Sequence, residues 1–225
     1  MKQENLHNFN PDTGSSRPAS DAVTRILAAA EALFSEHGFA AVSMNAIAER
    51  ANVSKANIFH HFSSKQALYI AVVRAACQDS ILQLQHLGNE TGPFPERLAH
   101  FVRNLLDDML EREQVHRLIK RELLRDGERQ GRDLAEQVWG DGFGRFVTIL
   151  RAAQTRGELR ADIDPAMVAT MFIAANVFFV DSRHVLPHLP DVRFGADPAA
   201  FSTMAADIVL RGILKTSDNN KTPDC

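Results

Sequence analysis

Apolar residues recur along this chain with the spacing of helices, and no stretch alternates with period two for long enough to demand a strand. Ile26, Leu27, Ala30, Leu33 and Phe34 fall at i, i+1, i+4, i+7 and i+8, one stripe of a first helix. Ser20 or Asp21 stands where a cap would start it, and Gly38 follows its last turn. Ser43 then opens MNAIAERA, a two-turn helix presenting Ala46, Ile47 and Ala51 inward. Asn52-Val53-Ser54 is a tight connection, because Asn tolerates the left-handed conformation that ends a helix. Ser54 caps a second short helix, KANIFHH. Ser63-Ser64-Lys65-Gln66 has the S-x-x-Q form of a capping box and predicts a long helix carrying Leu68, Val72 and Ala76, ending near Leu87.

Beyond the loop GNETGPFPE the pattern predicts longer helices at 94–111, 115–125, 132–156, 165–184 and 198–215. Gly157 stops one of them, Asp164 caps the next, and Pro165 takes its favoured first helical position. Phe201, Met204, Ala205, Ile208, Val209, Gly212 and Ile213 share one stripe of the last. The predicted fold class is all-α, without internal repeats. Residues 1–19 and 217–225 are polar and rich in Pro, Ser, Asn and Asp, which predicts disordered tails.

Composition narrows the function. A net charge of −3 gives the whole molecule no pull towards polyanions, so a nucleic-acid surface has to be local. Two cysteines, Cys77 and the terminal Cys225, make no disulfide framework and suit a reducing cytosol. The polar N-terminus lacks the apolar core of a signal peptide. The longest apolar run, Ala166 to Val180, has 13 apolar residues of 15; it is too short to span a bilayer and reads as a buried helix. No G-x-S-x-G, H-E-x-x-H or C-x-x-C occurs, so no enzyme, cofactor or metal is expected. A helical interaction protein is the other reading that composition leaves open.

The two short helices and their three-residue turn have the form of a helix-turn-helix at about 43–62, with small Ala48 at the crossing and Ile47, Val53 and Ile58 between. Any two packed helices can match that pattern. The wording of residues 24–73 goes further. It contains AAAEALFSEHGF, then I-A-x-x-A-x-V-S, then an aromatic-His-x-Phe step and S-K-x-x-L. This segment closely resembles the DNA-binding domain of the tetracycline-repressor-like (TetR/AcrR) family of bacterial transcriptional regulators, and GELRADIDP (157–165) is similar to the linker before that family's dimerisation helices.

The resemblance implies a three-helix DNA-binding head at 20–66 and a helical ligand-binding and dimerisation domain at 67–216. It further implies a cytoplasmic homodimer on a palindromic double-stranded operator, released by a small molecule, with no membrane partner. Departures from the family pattern fall on the reading surface. Asn52 stands for the usual Gly, Ala56 and Asn57 for Gly and Thr or Ser, and Phe59 and His61 for Tyr.

Arg50, Lys55 and Lys65 are the only charges within 50–65, a focused basic footprint. Lys55 and Lys65, at helix starts, are expected to clamp phosphates, or else to be solvated surface lysines. Ser43, Ser54 and Ser63 are caps first; their hydroxyls can also touch phosphate, and the two roles compete. Asn57 suits bidentate bonding to adenine, Ala56 a thymine methyl, and Phe59 sugar-phosphate packing, while Phe62 is expected in the core. His60 and His61 can donate to phosphate or bases; adjacent on a helix, they diverge by about 100° and make poor metal ligands. Asn45, early in the first short helix, completes the expected DNA-facing set.

In the larger domain Phe101, Leu105, Met109, Leu118, Trp139, Phe143, Met171 and Phe172 are candidates for a largely apolar effector pocket, with simple core packing as the alternative. Asn176 interrupts the most apolar helix and needs a partner if buried. Gly140, Gly142 and Gly144 loosen the helix around Trp139 and Phe143. Phe178, Phe201, Met204, Ala205, Ile208, Val209 and Gly212, on helices 165–184 and 198–215, are the expected dimer face.

Overall fold

The structure is a computed structural model that describes residues 17–89 and 91–214. The expected disordered tails fall outside these residues, except 17–19, which are helical. Contacts divide the chain into two compact units, one up to Tyr69 and one from Ile70 onward.

The first unit holds α1 (Arg17–His37), α2 (Met44–Ala51), α3 (Lys55–His61) and the start of α4 (Lys65–Ala76). Local chemistry sets each boundary. Gly38 takes φ +86° and its N–H bonds the Phe34 carbonyl at 2.9 Å, closing α1. Ser43 and Ser54 are extended, and their hydroxyl oxygens accept from the N–H groups of Ala46 and Asn57, both at 3.1 Å. Asn52 has φ 53°, the left-handed turn expected of it. The cap of α4 is Ser64, not Ser63: its oxygen accepts from the Ala67 N–H at 3.0 Å. Ile26, Ile47, Ile58 and Leu68 are fully buried between these helices, with small Ala48 buried beside them. Phe34, Phe39 and Tyr69 close the core, their ring centroids 5.4 to 6.2 Å apart.

The long helix expected from 63 to 87 is interrupted. The Cys77 N–H is shared between the Val73 and Arg74 carbonyls, a tightened turn, and α5 (Gln78–Asn89) begins afresh. There follow α6 (Phe94–Glu111), α7 (Glu113–Arg125), α8 (Gly127–Leu134), α9 (Gly140–Thr155), α10 (Pro165–Ser182) and α11 (Pro198–Ile213). Between α8 and α9 the backbone runs through a five-residue π-helical turn, Ala135–Trp139, within what the pattern predicts as one helix.

The core of this unit lies where α5, α6, α9, α10 and α11 meet, with Phe101 edge-on to Phe146 at 4.9 Å. A smaller cluster joins Leu106, Phe179, Val180 and Leu186, and Phe201 stacks on Phe179 at 4.4 Å. Gly157 (φ +76°) ends α9, and Asp164 accepts from the Ala166 N–H at 2.8 Å to start α10, as the sequence indicates. The loop between them is pinned to the end of α11 by the Arg160 N–H on the Ile213 carbonyl, 2.8 Å.

Candidate nucleic-acid interface

The solvent side of α2 and α3 is built by their caps. Because Ser43 and Ser54 fix where each helix starts, Asn45 on α2 and Lys55, Ala56, Phe59 and His60 on α3 all come out exposed. Lys55 Nζ stands 6.0 Å from the Phe59 ring centroid, leaving the charge outward beside an aromatic face. Each cap hydroxyl accepts from the backbone and keeps its O–H, so capping leaves one donor over. His60 and His61 meet edge to face at 4.9 Å, with His61 half-buried and 6.4 Å from Phe62, which is itself half-buried rather than core. Among the described residues no group of three or more His, Cys, Asp or Glu could hold a metal ion.

Two expected contacts come out differently. Asn57 is half-buried, and its carbonyl oxygen is turned inward without a hydrogen-bond partner. A bidentate grip on adenine therefore requires that side chain to swing out. Lys65 is half-buried and engaged by its own chain. Its ammonium donates to the carbonyls of Phe39 at 2.7 Å, Val42 at 2.8 Å and Ala40 at 3.3 Å, and lies 4.5 Å from the Phe39 ring centroid. Arg25 is similarly occupied, donating to the Ala51 carbonyl at 3.3 Å.

In the second unit the expected pocket residues divide between core and surface. Phe101, Leu105, Leu118 and Phe172 are buried core, Met109 is half-buried against both clusters, and Met171, Trp139 and Phe143 are exposed. Asn176 is fully buried; its amide donates to the Val102 carbonyl at 3.0 Å and its oxygen has no partner. Of the expected set Phe101 alone lines an open cleft of about 230 Å³, with Gln83, His86, Leu87, Arg97, His100 and Asn104. The pattern held a signal for it, since Arg97, His100 and Asn104 repeat at i, i+3 and i+7 on one face of α6.

Burial pushes the Cys77 thiol up despite the Trp139 N–H that bonds it, which speaks against a reactive thiolate. Of the expected dimer residues, Phe178, Met204, Ile208 and Gly212 face outward, whereas Phe201, Ala205 and Val209 are half-buried in their own chain. Met167 joins the outward group and was missed.

Comparison with known proteins agrees with this architecture. Residues 26–72 match "Bacterial regulatory proteins, tetR family", and residues 89–184 match "Tetracyclin repressor-like, C-terminal domain". The HTH-type transcriptional regulator UidR of Escherichia coli (strain K12) is 28% identical over 160 residues, 67% of this chain and 75% of that one. RutR of the same strain, also an HTH-type transcriptional regulator, is 30% identical over 168 residues, 74% of this chain and 77% of that one. In three dimensions the chain is similar to SmeT, the repressor of the Stenotrophomonas maltophilia multidrug efflux pump SmeDEF. The identity is 23% and the TM-score 0.63, over 91% of this chain and 96% of that one. In its triclosan complex the TM-score is 0.67. At that identity the likeness shows the fold; the family is shown by RutR, and the chain belongs to the tetR family of bacterial regulatory proteins, as a DNA-binding transcriptional regulator and not an enzyme.

Proposed function

We propose that this regulator is a cytoplasmic, ligand-released repressor that binds a palindromic operator as a homodimer. The observation that carries the reading is the outer face of α10 and α11. α10 is apolar on all sides, yet Phe178 (59% exposed) and Met171 (52%) stand outward along it, and Ile208 (72%) continues the face on α11. Met167, Met204 and the bare backbone of Gly212 complete the strip. Such a strip rarely stays in water, and pairing with its symmetry mate gives a four-helix bundle. Two heads related by a two-fold axis then read inverted half-sites about one helical turn apart. Arg50, Lys55, the two cap hydroxyls, His60 and the Phe59 ring hold the backbone, while Ala56 and a released Asn57 face the groove.

The effector is a small molecule taken up by the helical unit. SmeT, of similar fold, is known in complex with triclosan, and here a half-polar cleft beside Phe101 lies on that unit. A molecule preferring one head spacing over another shifts the dimer away from DNA, at a reciprocal cost to its own affinity.

The test is in vitro selection of duplexes from a random library, followed by sedimentation. An inverted repeat bound by two chains is expected; a single half-site bound by one chain would sink the dimer reading. Molecules extracted from the purified protein, returned in excess, are expected to release the duplex, and a complex indifferent to them counts against ligand release.

A further inference from the structure

The ammonium of Lys65 occupies a built site. Residues 39–42 lie between Gly38, which ends α1, and Ser43, which caps α2. They form the entrance to the helix-turn-helix. Lys65 is the first residue of α4, just past the connector 62–64 that leaves α3, and so stands at the exit. Its Nζ reaches back across 23 to 26 residues to the carbonyls of Val42, Ala40 and Phe39. An ammonium has three donors, and three carbonyls lie within reach of them. The Phe39 ring flanks the charge at 4.5 Å and is itself packed against Phe34 and Tyr69. Val42, the nearest anchor before α2, is buried. Donors already committed to carbonyls have none left for a phosphate.

We propose that Lys65 is a positioning residue for operator recognition, tying the entrance of the helix-turn-helix to its exit so that α2 and α3 meet DNA in one fixed pose. This rests on the DNA-binding reading of the head. The reach of the clamp matters because α2 and α3 are only eight and seven residues long. Helices of that length are marginal alone and hold their geometry through what they pack on and what fixes their ends. Loosening the entrance lets the reading face tilt. Contacts that need register, base edges above all, then suffer more than backbone attraction does.

The experiment uses full-length protein, a duplex selected by the wild-type chain from a random library, and a scrambled duplex of equal length. Binding is measured over a range of salt. Lys65→Met is expected to weaken the selected duplex about tenfold or more while changing the scrambled one little, with the salt slope unaltered. Lys65→Arg keeps the charge but spreads its donors over a planar fork, and is also expected to lose selectivity. Hydrogen exchange without DNA is expected to quicken at residues 39–43 in both variants.

A slope that falls by about 0.9 per subunit in Lys65→Met, with Lys65→Arg binding as tightly as wild type, would make Lys65 a phosphate contact and overturn the proposal. Equal losses on both duplexes would reduce it to general stability, and unchanged exchange at 39–43 would remove the clamp. A wild-type chain that enriches no duplex would overturn the DNA reading itself, before any variant is made.

Discussion

At the level of single residues, the role of a polar side chain here depends on how far along the chain its partner lies. Ser43, Asn52 and Ser54 do what their types suggest because capping is local: the partner N–H or carbonyl lies within four residues. Lys65 looked like a phosphate clamp because its partners are carbonyls more than twenty residues away, which no side-chain pattern records. Asp108 is a further case. It accepts from the Ser80 hydroxyl at 3.1 Å and the Gln83 amide at 2.9 Å, yet burial, joined by Asp79 and Glu111, raises its pKa above the usual 3.8, against the pull of Ser80 and Arg112. A carboxyl whose folded pKa is raised opposes folding once ionised. Its contribution therefore improves as pH falls through the raised folded value and levels off below the unfolded one. Asp108→Asn keeps an oxygen for both donors and never ionises. It is expected to raise Tm at pH 7 by about 1–2 °C, and to remove part of the stability gained between pH 7 and pH 4. Equal Tm values for wild type and variant at pH 7, by thermal denaturation followed by circular dichroism, would contradict this.

At the scale of elements, the helices of the second half were legible wherever a cap or a Gly-Pro boundary marked them. α6 and the start of α10 fall where the pattern puts them. What escaped was the backbone register inside one predicted helix. The π turn at Ala135–Trp139 has no periodic signature of its own, since it changes carbonyl partners rather than the spacing of apolar residues. Gly140 was the visible trace of it. Its N–H bonds the Ala135 carbonyl five residues back, and a Cβ at Gly140 would lie 2.6 Å from that oxygen. Arg74 further holds the turn open by donating to the Gln137 carbonyl. In an ordinary α-helix, Gly to Ala stabilises by up to about 1 kcal/mol. Here the clash reverses the sign, and Gly140→Ala is expected to destabilise by about 1–2 kcal/mol. Gly144, whose Cβ would meet nothing within 4 Å, supplies the comparison: Gly144→Ala is expected to stabilise by about 0.5–1 kcal/mol. Denaturant titration of the two variants decides it, and stabilisation by both would mean that no π turn is present.

At the scale of the molecule, the assignment of faces was the hardest part to read from sequence. α10 is apolar all round, so periodicity does not say which side meets its own chain, and Met171, expected in a pocket, stands on the outside. Burial separates the sides. Val168, Phe172, Asn176 and Phe179 turn inward while Met167, Met171 and Phe178 turn out. Ile208 is the sharpest probe of that outer face, because 72% of it is exposed and its own chain gains little from it. A charge there costs the isolated subunit almost nothing but would be desolvated across a symmetric interface, opposite its own copy. Ile208→Glu is thus expected to leave the thermal unfolding of each subunit's core nearly unchanged at low concentration while halving the sedimenting mass. With the two heads unlinked, affinity for a two-half-site duplex is expected to fall by about 100-fold or more, since the second half-site is no longer bound at high effective concentration. Affinity for a single half-site should barely move. A variant that sediments as a dimer and binds the full duplex as before would show that α10 and α11 present this face to something other than a second copy of the chain.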